Sequence, residues 1–149
     1  MKREIKYIVV HCTATPTTTT IKSIERYWKV TLGWANPGYH YIIERNGVLV
    51  NLLPEDEIAN GVKGYNKNAI HISYIGGIDA DGRPVDNRTD AQKRIMWEWL
   101  LLHQEKYPGA TILGHRDFPG VTKSCPSFDV REWMKCWEKN NGQDLIAKE

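Results

Sequence analysis

No apolar run in this 149-residue chain is long enough to cross a membrane. The opening "MKREIKYIVVHC" has only a few apolar residues before it turns polar, too few for a signal-peptide core. Synthesis as a soluble cytoplasmic protein is therefore expected, and a substrate beyond the membrane would require release by another agent. A strong charge of either sign is also missing. The formal net charge of +2 gives no argument for a nucleic-acid partner. Three cysteines are an odd count and cannot close a disulfide framework, so at least one thiol stays free. There is no C-x-x-C and no H-E-x-x-H, and hence no compact metal signature. Internal repeats and linkers are absent as well.

What is present suits one domain with a real core, with 41% hydrophobic and 26% charged residues. Ile5 to His11 reads as a buried strand. Beyond the "TPTTTT" loop, Ile21, Ile24, Tyr27 and Trp28 fall at helical spacing, and Gly33 supplies a stop. "YHYIIERNGVLVNLL" reads as a hairpin around Asn46-Gly47, the pair that best tolerates the positive φ angles of a type I′ turn. Asn60 to Asn68 reads as a polar surface loop, followed by the strand "IHISYIGG". Thr89-Asp90-Ala91-Gln92 fits a capping box opening a long helix, with Ile95, Trp99 and Leu102 on one face and Pro108-Gly109 at its end. "ATILGH" is a short strand, and Val130, Trp133, Met134 and Trp137 mark a last helix. The order β-α-β-β-β-α-β-α predicts an α/β chain with a single mixed β-sheet flanked by helices. One domain over 1–139 and a polar C-terminal tail over 140–149 are expected.

Two of these strands end on histidine, His11 and His115. Parallel pairing of the two would bring the rings together. A loop can then fold back to add Cys125, ten positions on, with Pro126 stiffening it. Two neutral imidazoles and a thiolate make a good three-ligand zinc site with a fourth position open to water. Spacing alone leaves the alternative open that these are structural histidines and a packing cysteine. Cys12, adjacent to His11, is expected on the opposite face and in the core. Cys136 reads as a half-buried packing thiol on the last helix, His103 as structural, and His71 as ambiguous. If the metal site is real, Lys123 can aim its ammonium at the oxyanion that forms when an amide carbonyl is attacked. Tyr39, in "GYHY", can orient the attacking water or hydrogen-bond the reacting amide. The plainer readings are a solvated lysine and an edge-of-core tyrosine.

"VVHCTAT", "GYHYIIERNG", "IGGID", "LGHRD" and "KSCPSFDVREW", in this order from about Ile5 to Trp137, resemble the zinc-dependent N-acetylmuramoyl-L-alanine amidases. The likeness is to amidase-type bacteriophage lysozymes, relatives of the peptidoglycan recognition proteins. The resemblance implies the peptidoglycan-recognition/amidase-type fold, with one catalytic zinc ion at the floor of a substrate groove. Carried over by position, His11, His115 and Cys125 are the ligands, and Tyr39 and Lys123 the catalytic residues. The implied reaction is hydrolysis of the amide between the lactyl group of N-acetylmuramic acid and L-alanine of the stem peptide. A phage or prophage lysis enzyme acting as a monomer on peptidoglycan after release, without membrane insertion, follows from the same likeness. The alternative is a module that binds peptidoglycan without cutting it. Non-catalytic relatives commonly lack the cysteine ligand, and Cys125 is present here. His71 stands where relatives commonly have glycine. Some phage relatives carry an N-terminal extension that inhibits an RNA polymerase, and with the chain starting almost at the first strand that role is not expected. Trp34, Tyr65 and Asn66 are candidates for the groove.

Overall fold

The β-branched and aromatic runs form strands where the chain punctuates them with glycine and asparagine. The computed structural model describes residues 2–139. The strands are β1 (Tyr7–Cys12), β2 (Tyr41–Ile43), β3 (Leu49–Asn51), β4 (Ala69–Tyr74) and β5 (Thr111–Gly114). They assemble one five-stranded sheet in the order β3-β2-β4-β1-β5. β2 and β3 are antiparallel, and every other pairing is parallel, so the sheet is mixed as expected. The Trp137 side chain and the polar tail lie outside the described residues.

Three α-helices flank the sheet among the described residues: α1 (Ile21–Arg26), α2 (Asp90–Lys106) and α3 (Val130–Lys139). Thr20 caps α1 by accepting the Ser23 N–H. α1 runs on into a π-helical turn, Tyr27–Thr31, and ends at Gly33, whose φ of 69° is costly for any side-chain-bearing residue. The capping box of α2 is present. Thr89 Oγ1 accepts the Gln92 N–H at 3.0 Å, and Gln92 Oε1 accepts the Thr89 N–H at 3.0 Å.

Alternation along β1 divides the molecule. Ile8, Val10 and Cys12 enter a core closed by Met96, Trp99 and Leu100 of α2 and by Val130, Trp133 and Met134 of α3. On the other face Val9 packs with Val62, Ala69 and Phe118, and Ile42 of β2 packs with Ile24 and Trp28. The parallel order leaves the carboxyl ends of β1, β4 and β5 together, the place where such sheets put ligands.

Two local expectations need correction. In the hairpin only Gly47 has a positive φ, 89°, and the Gly47 N–H donates to Glu44 O at 2.8 Å. Asn46 stays at negative φ, so this is a longer turn closed by a left-handed glycine, not type I′. A Cβ on Gly47 would lie 2.9 Å from Ala91 Cβ, so the close approach of α2 also demands glycine. On α2, Leu102 is exposed (64%), and the buried face is instead Gln92, Met96, Trp99, Leu100 and His103.

Candidate metal centre

β1 and β5 pair with Val10 opposite Gly114, so the next residues, His11 and His115, emerge side by side. Their ring centroids are 4.8 Å apart. The Gly114 N–H donates to Asp117 Oδ2 at 2.8 Å, and Asp117 is also held by Arg131 at 3.1 Å. This fixes the short 3-10 turn His115–Asp117 on which His115 sits.

The following loop folds back as expected. The Arg116 N–H donates to Cys125 O at 2.8 Å, the Tyr74 hydroxyl to Pro126 O at 2.6 Å and the Ser127 hydroxyl to Gly77 O at 2.9 Å. Cys125 Sγ then accepts the Cys12 N–H at 3.2 Å and stands 3.8 Å from His11 Nδ1. One ligand atom from each of His11, His115 and Cys125 lies within 4.8 Å of the others. The Cys12 side chain is core, as expected, although its thiol also neighbours that of Cys125.

The donor set fits zinc in chemistry, and the 3.8 Å between His11 Nδ1 and Cys125 Sγ is close to the spacing the ion requires. Bond lengths of about 2.0 and 2.3 Å hold a nitrogen–sulfur pair on a tetrahedral zinc roughly 3.6 Å apart. Burial, with His71 and His115 nearby, holds the His11 imidazole well below its ordinary pKa. Burial and then Lys123 lower His115 in the same direction. Both rings are thus neutral and offer lone pairs at pH 7. The neighbouring Cys12 thiol and burial push the Cys125 thiol well up, so a cation binding there displaces a proton.

A cavity of about 720 Å³ opens over the cluster, walled by Thr13, Thr15, Ser23, Trp28 and Trp34 and reached by Tyr39 and Lys123. The Tyr39 ring lies edge-on to Trp28 at 5.4 Å and 4.9 Å from the His11 ring. Its hydroxyl donates to Cys12 O at 3.2 Å, which leaves the oxygen free to accept. Burial, with Cys125 and Cys12 nearby, pushes the phenol pKa up, so it stays protonated. Lys123 is exposed on the wall and forms no ion pair with another described residue.

Of the groove candidates, only Trp34 lines the cavity. Tyr65 packs edge-on against Tyr7 and beside Phe118, in the small cluster around Val9, and Asn66 accepts the Val62 N–H at 2.8 Å. Cys136 is exposed, not half-buried. His103 is structural, stacked on Trp99 at 3.7 Å and bonded to Glu55 at 2.8 Å. His71, ambiguous in sequence, is fully buried with Nδ1 2.8 Å from His11 Nε2. The one available signal was parity: His71 is two residues before Ser73, which stands opposite His11 in the ladder, so both rings share a face.

The chain as a whole has known relatives. A family model described as N-acetylmuramoyl-L-alanine amidase matches residues 1–128. An endolysin of Klebsiella phage KP32 is 39% identical over 140 residues, covering 93% of this chain and 89% of its own. The endolysin of Escherichia phage T7 is 38% identical over 134 residues, 89% of this chain and 85% of its own. Among solved structures, the Ph2119 endolysin of a Thermus scotoductus bacteriophage superposes with a TM-score of 0.75 at 26% identity, covering 93% of this chain and 86% of that one. The structure of bumblebee PGRP-SA shares the fold, with a TM-score of 0.71 at 18% identity over 92% of this chain and 86% of that one.

Proposed function

The chain belongs to the N-acetylmuramoyl-L-alanine amidase family, and on that premise we propose that it is a zinc-dependent endolysin cutting the amide between the N-acetylmuramic acid lactyl group and L-alanine of the peptidoglycan stem. The observation that carries this reading is the convergence of His11, His115 and Cys125 at the floor of a cavity that Lys123 and Tyr39 also line. A binding module would need neither the open coordination position nor a cation beside it.

Zinc held by His11 Nδ1, a ring nitrogen of His115 and Cys125 Sγ would supply a Lewis acid that lowers the pKa of water to about 7 and polarises the scissile carbonyl. Lys123 places its ammonium beside the position where the amide oxygen gathers negative charge, a contribution of about 3 kcal/mol for one such donor. Tyr39 stays protonated, with its own proton committed to Cys12 O, so its oxygen accepts a hydrogen bond from the attacking water and aligns it. Trp28 holds that phenol in place edge-on. The wall of threonine and serine hydroxyls with Trp28 and Trp34 suits a substrate that is part sugar and part peptide. No helix among the described residues is long and apolar enough to cross a membrane, which accords with action on the wall after release by another agent.

The test is digestion of purified peptidoglycan by the zinc-loaded protein, the chelator-stripped protein and the stripped protein with zinc restored, reading new N-terminal L-alanine. Termini that appear, vanish and return support the reading. Zinc bound without new termini would move the chain to the binding modules. Activity that survives the chelator but not thiol alkylation would make it a cysteine hydrolase.

A further inference from the structure

We propose that His71 is a positioning residue for the metal centre: by accepting the His11 Nε2–H, it locks His11 in the one tautomer that presents a bare Nδ1 to the ion. The inference deepens the zinc reading above and rests on it.

The direction of every hydrogen bond in this chain is fixed from one end. The Val62 backbone N–H can only donate, and it reaches the side-chain oxygen of Asn66 at 2.8 Å. That oxygen can only accept, and His71 Nε2 lies 2.9 Å from it, so Nε2 carries a proton. The His71 ring is 0% exposed and is met by His11, Asn66 and His40, with no carboxylate among them. A neutral imidazole carries one proton, and with that proton on Nε2 its Nδ1 is a bare acceptor. His11 Nε2, 2.8 Å away, therefore donates. The remaining nitrogen of His11, the one that faces Cys125 Sγ at 3.8 Å, is left with its lone pair free. A backbone amide thus sets the tautomer of a metal ligand through two side chains.

The His71 ring has little freedom to do otherwise. Its own backbone N–H donates to His40 Nδ1 at 3.0 Å, and the two rings stack with 4° between their planes. On its other side, a Cβ added to Gly61 would come within 2.2 Å of His71 Nδ1, so only glycine leaves room for the ring there. Metal-bound histidines usually donate to a carboxylate or a carbonyl. A neutral imidazole in that place orients His11 without adding negative charge beside a thiolate ligand. An ion held there would keep more of its positive charge for polarising an amide.

The experiment combines two readouts. In the metal-free wild type, nitrogen-15 NMR of the imidazoles should find both His11 and His71 protonated at Nε2. Either ring protonated at Nδ1 overturns the proposal, and this arm needs no variant to fold. Zinc affinity is then measured by competition with a chromophoric chelator. His71→Leu should bind zinc 10–100-fold more weakly, the usual loss for such a partner. His71→Asn, which can return an amide oxygen near the Nδ1 position, should recover most of that loss, and a purely structural role would give no such rescue. Equal affinity in wild type and His71→Leu overturns the positioning role while leaving the zinc enzyme intact. A wild type that binds no zinc overturns both.

Discussion

Along β1, Ile8, Val10 and Cys12 point into the apolar core under α2 and α3, whereas Val9 and His11 point toward the cavity side. Both faces are sealed from water: Ile8 and Val10 are 0% exposed, and His11 on the opposite face is 1% exposed. They differ in what that burial requires. On the core face, contact area suffices, and neighbours can adjust around a changed side chain. On the cavity face each buried nitrogen needs a partner of the right polarity, because an unpaired one costs about 1–3 kcal/mol. The core face therefore sets stability, and the cavity face sets the geometry of the His11, His115 and Cys125 cluster.

Changes confined to one face sharpen that contrast. The largest effect is expected on the cavity side, where Lys123→Ala should lower kcat by roughly 10²–10³, the cost of one oxyanion donor. Zinc content and unfolding midpoint should stay at wild-type values, and a parallel fall in zinc would show that Lys123 supports the ligands instead. On the core side, Met96→Ala should cost about 3 kcal/mol of stability in urea unfolding. Its kcat at a temperature where it remains folded should be unchanged. A large kcat loss there would break the separation of the faces.

A smaller effect is expected at Glu55, on the loop after β3. Burial alone would raise its pKa, but hydrogen bonds from His103, Tyr107, Tyr41 and Lys106 outweigh it and hold the carboxylate well below its ordinary range. A depressed folded-state pKa gives stability that is fully present above the unfolded value of about 4.5 and is lost as pH falls below it. Glu55→Gln should cost about 2 kcal/mol at pH 7. The gap to wild type should narrow between pH 5 and pH 3 in urea titrations. A gap that stays constant over that range would remove the carboxylate from the account.

The succession of strands and helices along the chain and the convergence of His11, His115 and Cys125 were legible because each leaves a local mark: β-branched runs, a Thr89–Gln92 box, and histidines at the ends of "IVVH" and "ILGH". The buried face of α2 was not, because it contains polar residues. Gln92 is buried by donating to Ile43 O and Ile75 O, each at 3.2 Å, and His103 by bonding Glu55. Apolar periodicity therefore pointed to Leu102 instead. Asn66 read as a groove residue because nothing local connects it to His71 or Val62. His71 read as ambiguous because its partner is 60 residues away. Long-range polar pairs leave no spacing pattern, and the cavity face is made of them.

The measurement closest to the central claim is X-ray absorption at the zinc edge on the loaded protein, with Cys125→Ala beside it. One sulfur at about 2.3 Å and two nitrogens at about 2.0 Å, completed by a single further light atom, are predicted for the wild type. The sulfur should be missing in any zinc that the variant retains. A wild-type spectrum with no sulfur, or with four protein ligands closing the site, would contradict a hydrolytic centre built from His11, His115 and Cys125.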